Sequence, residues 1–159
     1  MKVLWKAALA AASLALAPAV AAQGLGELNI ARAQGDWGAE LGIGYQFNLG
    51  PIAIRPIGGG FVHQAEWFYR DSFNNGQSRC RNESNGQFAT DESCTEIDWY
   101  AKAEAAVVTR SGFEVGGGAR FSDEKVRPYG LVAFQVARNI KLHAAGGDHY
   151  FAGGVRLGF

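Results

Sequence analysis

The sequence predicts an all-β fold: an eight-stranded antiparallel up-and-down transmembrane β-barrel, preceded by a cleavable signal peptide. Three observations carry this. Apolar and polar residues alternate strictly over long stretches, charges keep to one face of those stretches, and the connections alternate between tight turns and variable loops. The cleanest stretch is "WGAELGIGYQFNL". Trp37, Ala39, Leu41, Ile43, Tyr45, Phe47 and Leu49 form one face, and Gly38, Glu40, Gly42, Gly44, Gln46 and Asn48 form the other. Aromatics towards both ends of the apolar face match a membrane-crossing strand with an aromatic girdle at each interface.

The chain opens with Lys2 and Lys6, an apolar run from Ala7 to Ala17, then Pro18 and small residues. That is the layout of a signal peptide, with cleavage expected after Ala21 or Ala22, and it divides the chain into residues 1–22 and a barrel over 23–159. The apolar run is well short of the ~20 residues a spanning helix needs. The whole chain carries 15 Lys and Arg against 15 Asp and Glu, so losing Lys2 and Lys6 leaves a net charge of −2. No nucleic-acid partner is expected, because phosphates demand a net basic face. The 22 glycines cluster inside apolar runs, which points to close packing of neighbours or to room for large side chains opposite.

Other segments repeat the pattern. "FEVGGGARF" places Phe113, Val115, Gly117, Ala119 and Phe121 outward, with Glu114 and Arg120 inward. "WYAKAEAAV" sets Trp99, Ala101, Ala103, Ala105 and Val107 against Tyr100, Lys102, Glu104 and Ala106. "YFAGGVRLGF" puts Phe151, Val155, Leu157 and Phe159 on one face and Arg156 on the other. "GELNIARA" is read with Leu28 and Ile30 outward and Asn29 inward. In "VRPYGLVAFQVA" and "IKLHAA", Val132, Phe134 and Val136 point outward, and Lys141 and His143 inward. Pro56 in "PIAIRPIGGGFV" removes a ladder donor, so a bulge is expected there and the facing beyond it stays open.

Tight turns "LGP", "TRSG" and "ARN" follow the second, fourth and sixth strands, while "QGD", residues 63–97, "SDEK" and "GGDH" join the others. Eight strands of about ten residues make the smallest usual closed barrel of this type. A soluble lipocalin-like barrel or a β-sandwich would also alternate. Such folds reverse the polarities seen here, with an oily interior and a wet exterior. A strand in lipid must also pair every backbone group, which only closure achieves, so the last strand is expected to pair with the first.

The leader, the alternating strands, the short turns and the terminal Phe159 preceded by alternate apolar residues resemble the small outer-membrane β-barrel superfamily of Gram-negative bacteria. The size is similar to the OmpA transmembrane domain, OmpX/Ail and opacity-protein barrels. This resemblance rests on pattern and implies the outer membrane as the location, its lipid as surroundings, and periplasmic chaperones and the barrel-assembly machinery as partners in biogenesis. It also implies that Phe151, Val155, Leu157 and Phe159 form the assembly signal, in a monomeric protein.

The inward Glu40, Lys102, Glu104, Glu114, Arg120, Lys141 and Arg156 are read as a paired network that seals a narrow lumen, with a polar conduit as the sharper alternative. Arg156 is expected to pair with an inward acid such as Glu40 or Glu114. The connection over 63–97 is far longer than ordinary loops. Its Cys80 and Cys94, the only cysteines, read as a disulfide in an oxidising envelope. Trp67, Phe68, Tyr69, Arg70 and Phe73 either prolong the flanking strands as a protruding hairpin or form a recognition surface, since aromatics with Arg anchor interfaces. No catalytic residue, metal or cofactor is expected. His63, His143 and His149 lack a serine two positions on, as a barrel deacylase would need, and no GxSxG, HExxH, P-loop or dinucleotide glycine pattern occurs.

The expected function is a non-catalytic barrel that holds up a disulfide-pinned loop for envelope integrity or surface interaction. The alternatives are an adhesin binding an extracellular ligand, a narrow pore and, last, a lipid-modifying enzyme. Replacing Phe159 by Ala is expected to impair assembly, seen as loss of the heat-modifiable gel band; an unchanged band contradicts the role given to that residue.

Overall fold

The computed structural model describes residues 22–33, 35–65, 67–72, 77–122 and 125–159. The leader, apart from Ala22, and Phe73 lie outside the described residues. Among the described residues there are ten strands: β1 (Ala22–Ala33), β2 (Asp36–Leu49), β3 (Ile52–Gln64), β4 (Phe68–Ser72), β5 (Ser78–Asn82), β6 (Thr95–Val108), β7 (Phe113–Ser122), β8 (Lys125–Ala137), β9 (Ile140–Gly147) and β10 (Tyr150–Gly158). Eight close into a barrel in the order β1-β10-β9-β8-β7-β6-β3-β2, and β4 and β5 form a separate hairpin. Every pairing is antiparallel, and β10 pairs with β1 from Leu25↔Gly158 to Ala33↔Tyr150. No edge of the main sheet is left open, so its backbone groups are satisfied internally.

Closure fixes the geometry. Following paired residues from Ala22 leads through Phe47, Ile54, Ala105, Gly117, Gly130, Gly146 and Phe151 and returns to β1 at Arg32, ten residues from the start. A stagger of that size over eight strands spaced ~4.8 Å apart tilts the strands by about 40°. The start of β1 and the end of β10 lie with the three tight turns at one end, where Phe159 donates its N–H to the Gly24 carbonyl at 3.0 Å. The β4–β5 insertion lies at the other end.

The alternation read from the sequence holds on every barrel strand. Leu41, Ile43 and Trp99 are 57%, 75% and 79% exposed, whereas Glu40, Glu114 and Arg120 are completely buried. The outward apolar set of β2 runs from Trp37 to Leu49 and, at ~3.3 Å per residue and the tilt above, stands about 30 Å high. Outward aromatics gather at two levels. Trp37, Trp99, Phe121 and Phe151 ring the loop end, and Tyr45, Phe113, Phe134 and Phe159 ring the turn end. Among the described strand residues in outward register, Arg32 is the only charged one, at the loop-end ring beside Trp37 and Phe151.

One expectation fails. No bulge occurs at Pro56: β3 keeps the same register with β2 on both sides of it, and Pro56 sits opposite Ala103 in an unbroken β3–β6 ladder. The missing N–H falls on the β2 side, where the ladder skips Tyr45 and Gln46 and then resumes. The register irregularity lies instead between Gln135 and Ala137, where β8 meets the Arg138–Asn139 turn.

Inward glycines make room for rings. A Cβ on Gly42 or Gly59 would come within 2.8 or 2.7 Å of the Tyr100 hydroxyl, and one on Gly118 within 2.9 Å of that of Tyr129. Outward Gly130 has no atom nearer than 3.9 Å to such a Cβ. Gly42→Ala is therefore expected to lower stability to urea by about 1–3 kcal/mol, as overpacking does. Tyr100→Phe should recover part of that loss, and Gly130→Ala should change little.

Candidate functional site

Two places concentrate side chains able to do more than pack: the barrel interior and the loop-end insertion. The interior holds a continuous run of alternating charges that climbs from the turn end to the loop end. At the bottom, Lys141 Nζ lies 2.6 Å from Glu114 Oε1, and Arg55 donates to the other Glu114 oxygen. Arg55 Nη1 is 3.8 Å from Glu104, and Arg156 Nη2 bridges Glu104 and Glu27 at 3.0 Å each. Above them Lys102 Nζ bridges Glu27 at 2.8 Å and Glu40 at 2.6 Å, and Arg120 Nε donates to Glu40 at 2.9 Å. At the top, Arg120 and Arg127 both donate to the Ser122 hydroxyl, at 2.6 and 3.1 Å.

Neutral groups satisfy part of what the charges leave over. Tyr129 donates to Glu104 and Tyr150 to Glu40, each at 2.9 Å, and Arg55 Nε donates to Gln46 at 2.8 Å. The Lys102 ammonium and the Arg120 guanidinium lie 4.7 and 4.9 Å from the Tyr100 ring centroid, a cation–π arrangement favoured where water is absent. Each of the eight barrel strands contributes at least one member.

All seven charges predicted to face inward do so, Lys141 being the most exposed. Arg156 pairs with inward acids as expected, but not with the two named. It meets Glu27, its direct cross-strand neighbour, together with Glu104, and neither Glu40 nor Glu114. The sequence reading also passed over Glu27, Arg55 and Arg127, all three buried. Glu27 and Arg55 obey the same alternation as their neighbours, two residues from inward Asn29 and inward Ile57, so the signal was available.

The insertion is built from its own hairpin rather than from prolonged flanking strands. β3 and β6 pair only as far as Gln64↔Thr95, beyond which β4 pairs with β5 from Phe68↔Asn82 to Ser72↔Ser78. The Cys80–Cys94 disulfide, with Cα atoms 5.7 Å apart, ties β5 to a short 3-10 turn (Asp91–Cys94) that leads into β6. Arg81 pairs with Asp71 at 3.0 Å and stacks over Phe88, 4.4 Å from its centroid. Of the predicted recognition residues, Trp67, Tyr69 and Arg70 are exposed and Phe68 is half-buried. At the mouth of the barrel beneath, His63 bonds Asp98 at 3.0 Å and stacks on Phe61. On β10 Phe151 and Leu157 face outward, with Val155 between them in the same register, and Phe159, just past the strand, is exposed with its ring against Gly24.

No family model matches the chain, and no curated protein or solved structure matches it.

Buried ion pairs offset their own desolvation only while every partner is present. Glu27→Gln, which strips the anion from Lys102 and Arg156 together, is expected to destabilise the barrel by about 3–5 kcal/mol in urea unfolding. Arg127→Gln, at the open top of the run, should cost less than half as much.

Proposed function

We propose that this chain is an integral outer-membrane β-barrel of Gram-negative type, without catalytic activity. In this reading its body is a sealed scaffold that holds a disulfide-pinned loop on the cell surface for envelope integrity or surface interaction. The observation that carries the proposal is the inverted polarity. An outward apolar belt about 30 Å high, free of charged side chains below Arg32 among the described residues, surrounds a buried ionic interior. In water that belt would be a very large exposed apolar surface, far beyond what soluble monomers carry. In lipid it is the expected solvent-facing side, and the two aromatic rings fall where interfaces would be.

The signal peptide, the outer-membrane location and the kinship with OmpA-like barrels belong to this proposal. So do the periplasmic chaperones, the assembly machinery and the monomeric state. With the signal removed, the tight turns would face the periplasm and the insertion the outside. Exposed Trp67, Tyr69 and Arg70 beside the pinned hairpin favour a second reading, in which the loop binds an extracellular ligand. The unbroken run of ion pairs argues against an open pore.

Fractionation tests the first reading: the protein should sediment with the outer membrane and show heat-modifiable migration, and a soluble periplasmic protein would overturn it. A variant lacking residues 66–96 should still insert. Unaltered adhesion of cells carrying that variant, against cells carrying the whole protein, would remove the ligand-binding reading. In planar bilayers the folded protein should give no sustained conductance.

A further inference from the structure

The turn end of the barrel is not packed solid. A polar cavity of about 360 Å³ opens between the tight turns and reaches inward as far as Arg156. Its charged lining is entirely cationic, comprising Arg138, Lys141 and Arg156, and carboxamides such as Gln46, Asn48 and Gln135 supply the rest of its polar wall. No carboxylate lines it among the described residues. Glu114 engages Lys141 from the side, and Glu27 and Glu104 engage only Nη2 of Arg156.

Arg156 is 1% exposed, yet its Nε and Nη1 have no hydrogen-bond partner. Arg55 Nη1, next along the ion run, is also without one. Unpaired guanidinium donors in a buried site are costly, and an anionic oxygen that accepts from one of them also offsets its charge. The interior as a whole leans the same way. Arg55, Lys102, Arg120, Arg127, Lys141 and Arg156 face four glutamates, Glu27, Glu40, Glu104 and Glu114. The excess of positive charge sits at the two ends of the run, and at the turn end it borders an open cavity.

We propose that this vestibule binds a small soluble oxyanion, a carboxylate or phosphate, with Arg156 at its floor and Arg138 at its rim. Single waters could occupy separate donors, but they supply no charge to offset the cationic lining. The site is a blind pocket: the Glu27, Glu104 and Arg156 contacts close it from above, so binding does not require conduction. It also stands apart from the membrane reading, since it lies inside the barrel whatever surrounds the outer face.

The test uses the folded protein in detergent micelles, labelled with ¹⁵N. Inorganic phosphate or succinate is titrated in at constant ionic strength against sodium chloride while the arginine Nε–H signals are followed. A saturable shift of the Arg156 signal with either anion, absent with chloride alone, is expected. Arg138→Gln should weaken binding about tenfold, the size of one charge-assisted hydrogen bond. Arg156→Lys keeps a cation for Glu27 and Glu104 but lacks the two free donors, and it should abolish saturation as seen on the Gln135 amide. If the Lys variant does not fold, Arg138→Gln carries the test alone. Saturation by only one of the two anions assigns the class within the proposal. A linear shift, an equal response to chloride, or unchanged affinity in Arg138→Gln would overturn it.

Discussion

Glu27 sits where strands from opposite ends of the chain meet inside the barrel. β1 carries it, Lys102 of β6 reaches it at 2.8 Å, and Arg156 of β10 reaches it at 3.0 Å. One of its flanks is the seam that closes the sheet, because β10 is the last strand and Glu27↔Arg156 is a directly paired position across that seam. Inward charges are tolerable only while they keep their partners, and the partners meet only if the barrel is closed in this register. A slip of one residue on any strand would turn its charge outward and bring an apolar residue in. The ionic run and the closed sheet therefore specify one another, and Glu27 joins its lower half to its upper half.

The outer face depends on the same constraint. Apolar side chains can occupy the outward register on all eight strands only because the polar complement has somewhere to go, and a barrel this narrow has just enough interior for it. The rings of Tyr100 and Tyr129 pack into this interior, and a Cβ on Gly42, Gly59 or Gly118 would collide with one of those hydroxyls and, on Gly59 and Gly118, with a backbone carbonyl as well. Dispersion, ion pairing and backbone closure thus meet at the same few positions. The insertion is held by different means, a disulfide and an Arg81–Phe88 stack outside the barrel, so change there need not disturb the body.

Much of this was legible in the sequence because a strand alternates with period two, and one well-patterned stretch such as Trp37 to Leu49 assigns every side chain on it to a face. Closure, strand number and the inward charges followed from that rule. What the rule does not carry is height. Whether Arg156 lies level with Glu27 or with Glu40 depends on the ten-residue stagger accumulated around the barrel, a sum over all the registers that no single strand encodes. Arg55 was obscured by its neighbour Pro56, whose missing donor suggested a bulge where the ladder only skips a bond. Glu27 is hard to place because the first segment is short and its clear alternation begins only at Leu28. The pinned hairpin was half legible: its cysteines announced the tie, whereas the separate β4–β5 pairing depends on contacts such as Arg81 with Asp71.

The central claim is that the apolar outward face contacts hydrocarbon while the charges lie within. Spin labels placed singly at Ala39, Leu41, Ile43 and Tyr45 of the vesicle-reconstituted protein test it most directly. Oxygen should reach these labels more readily than a water-soluble nickel chelate, with the contrast greatest midway along the belt and reversed at the loop site Gln77. Chelate access at Leu41 and Ile43 equal to that at Gln77 would contradict the account.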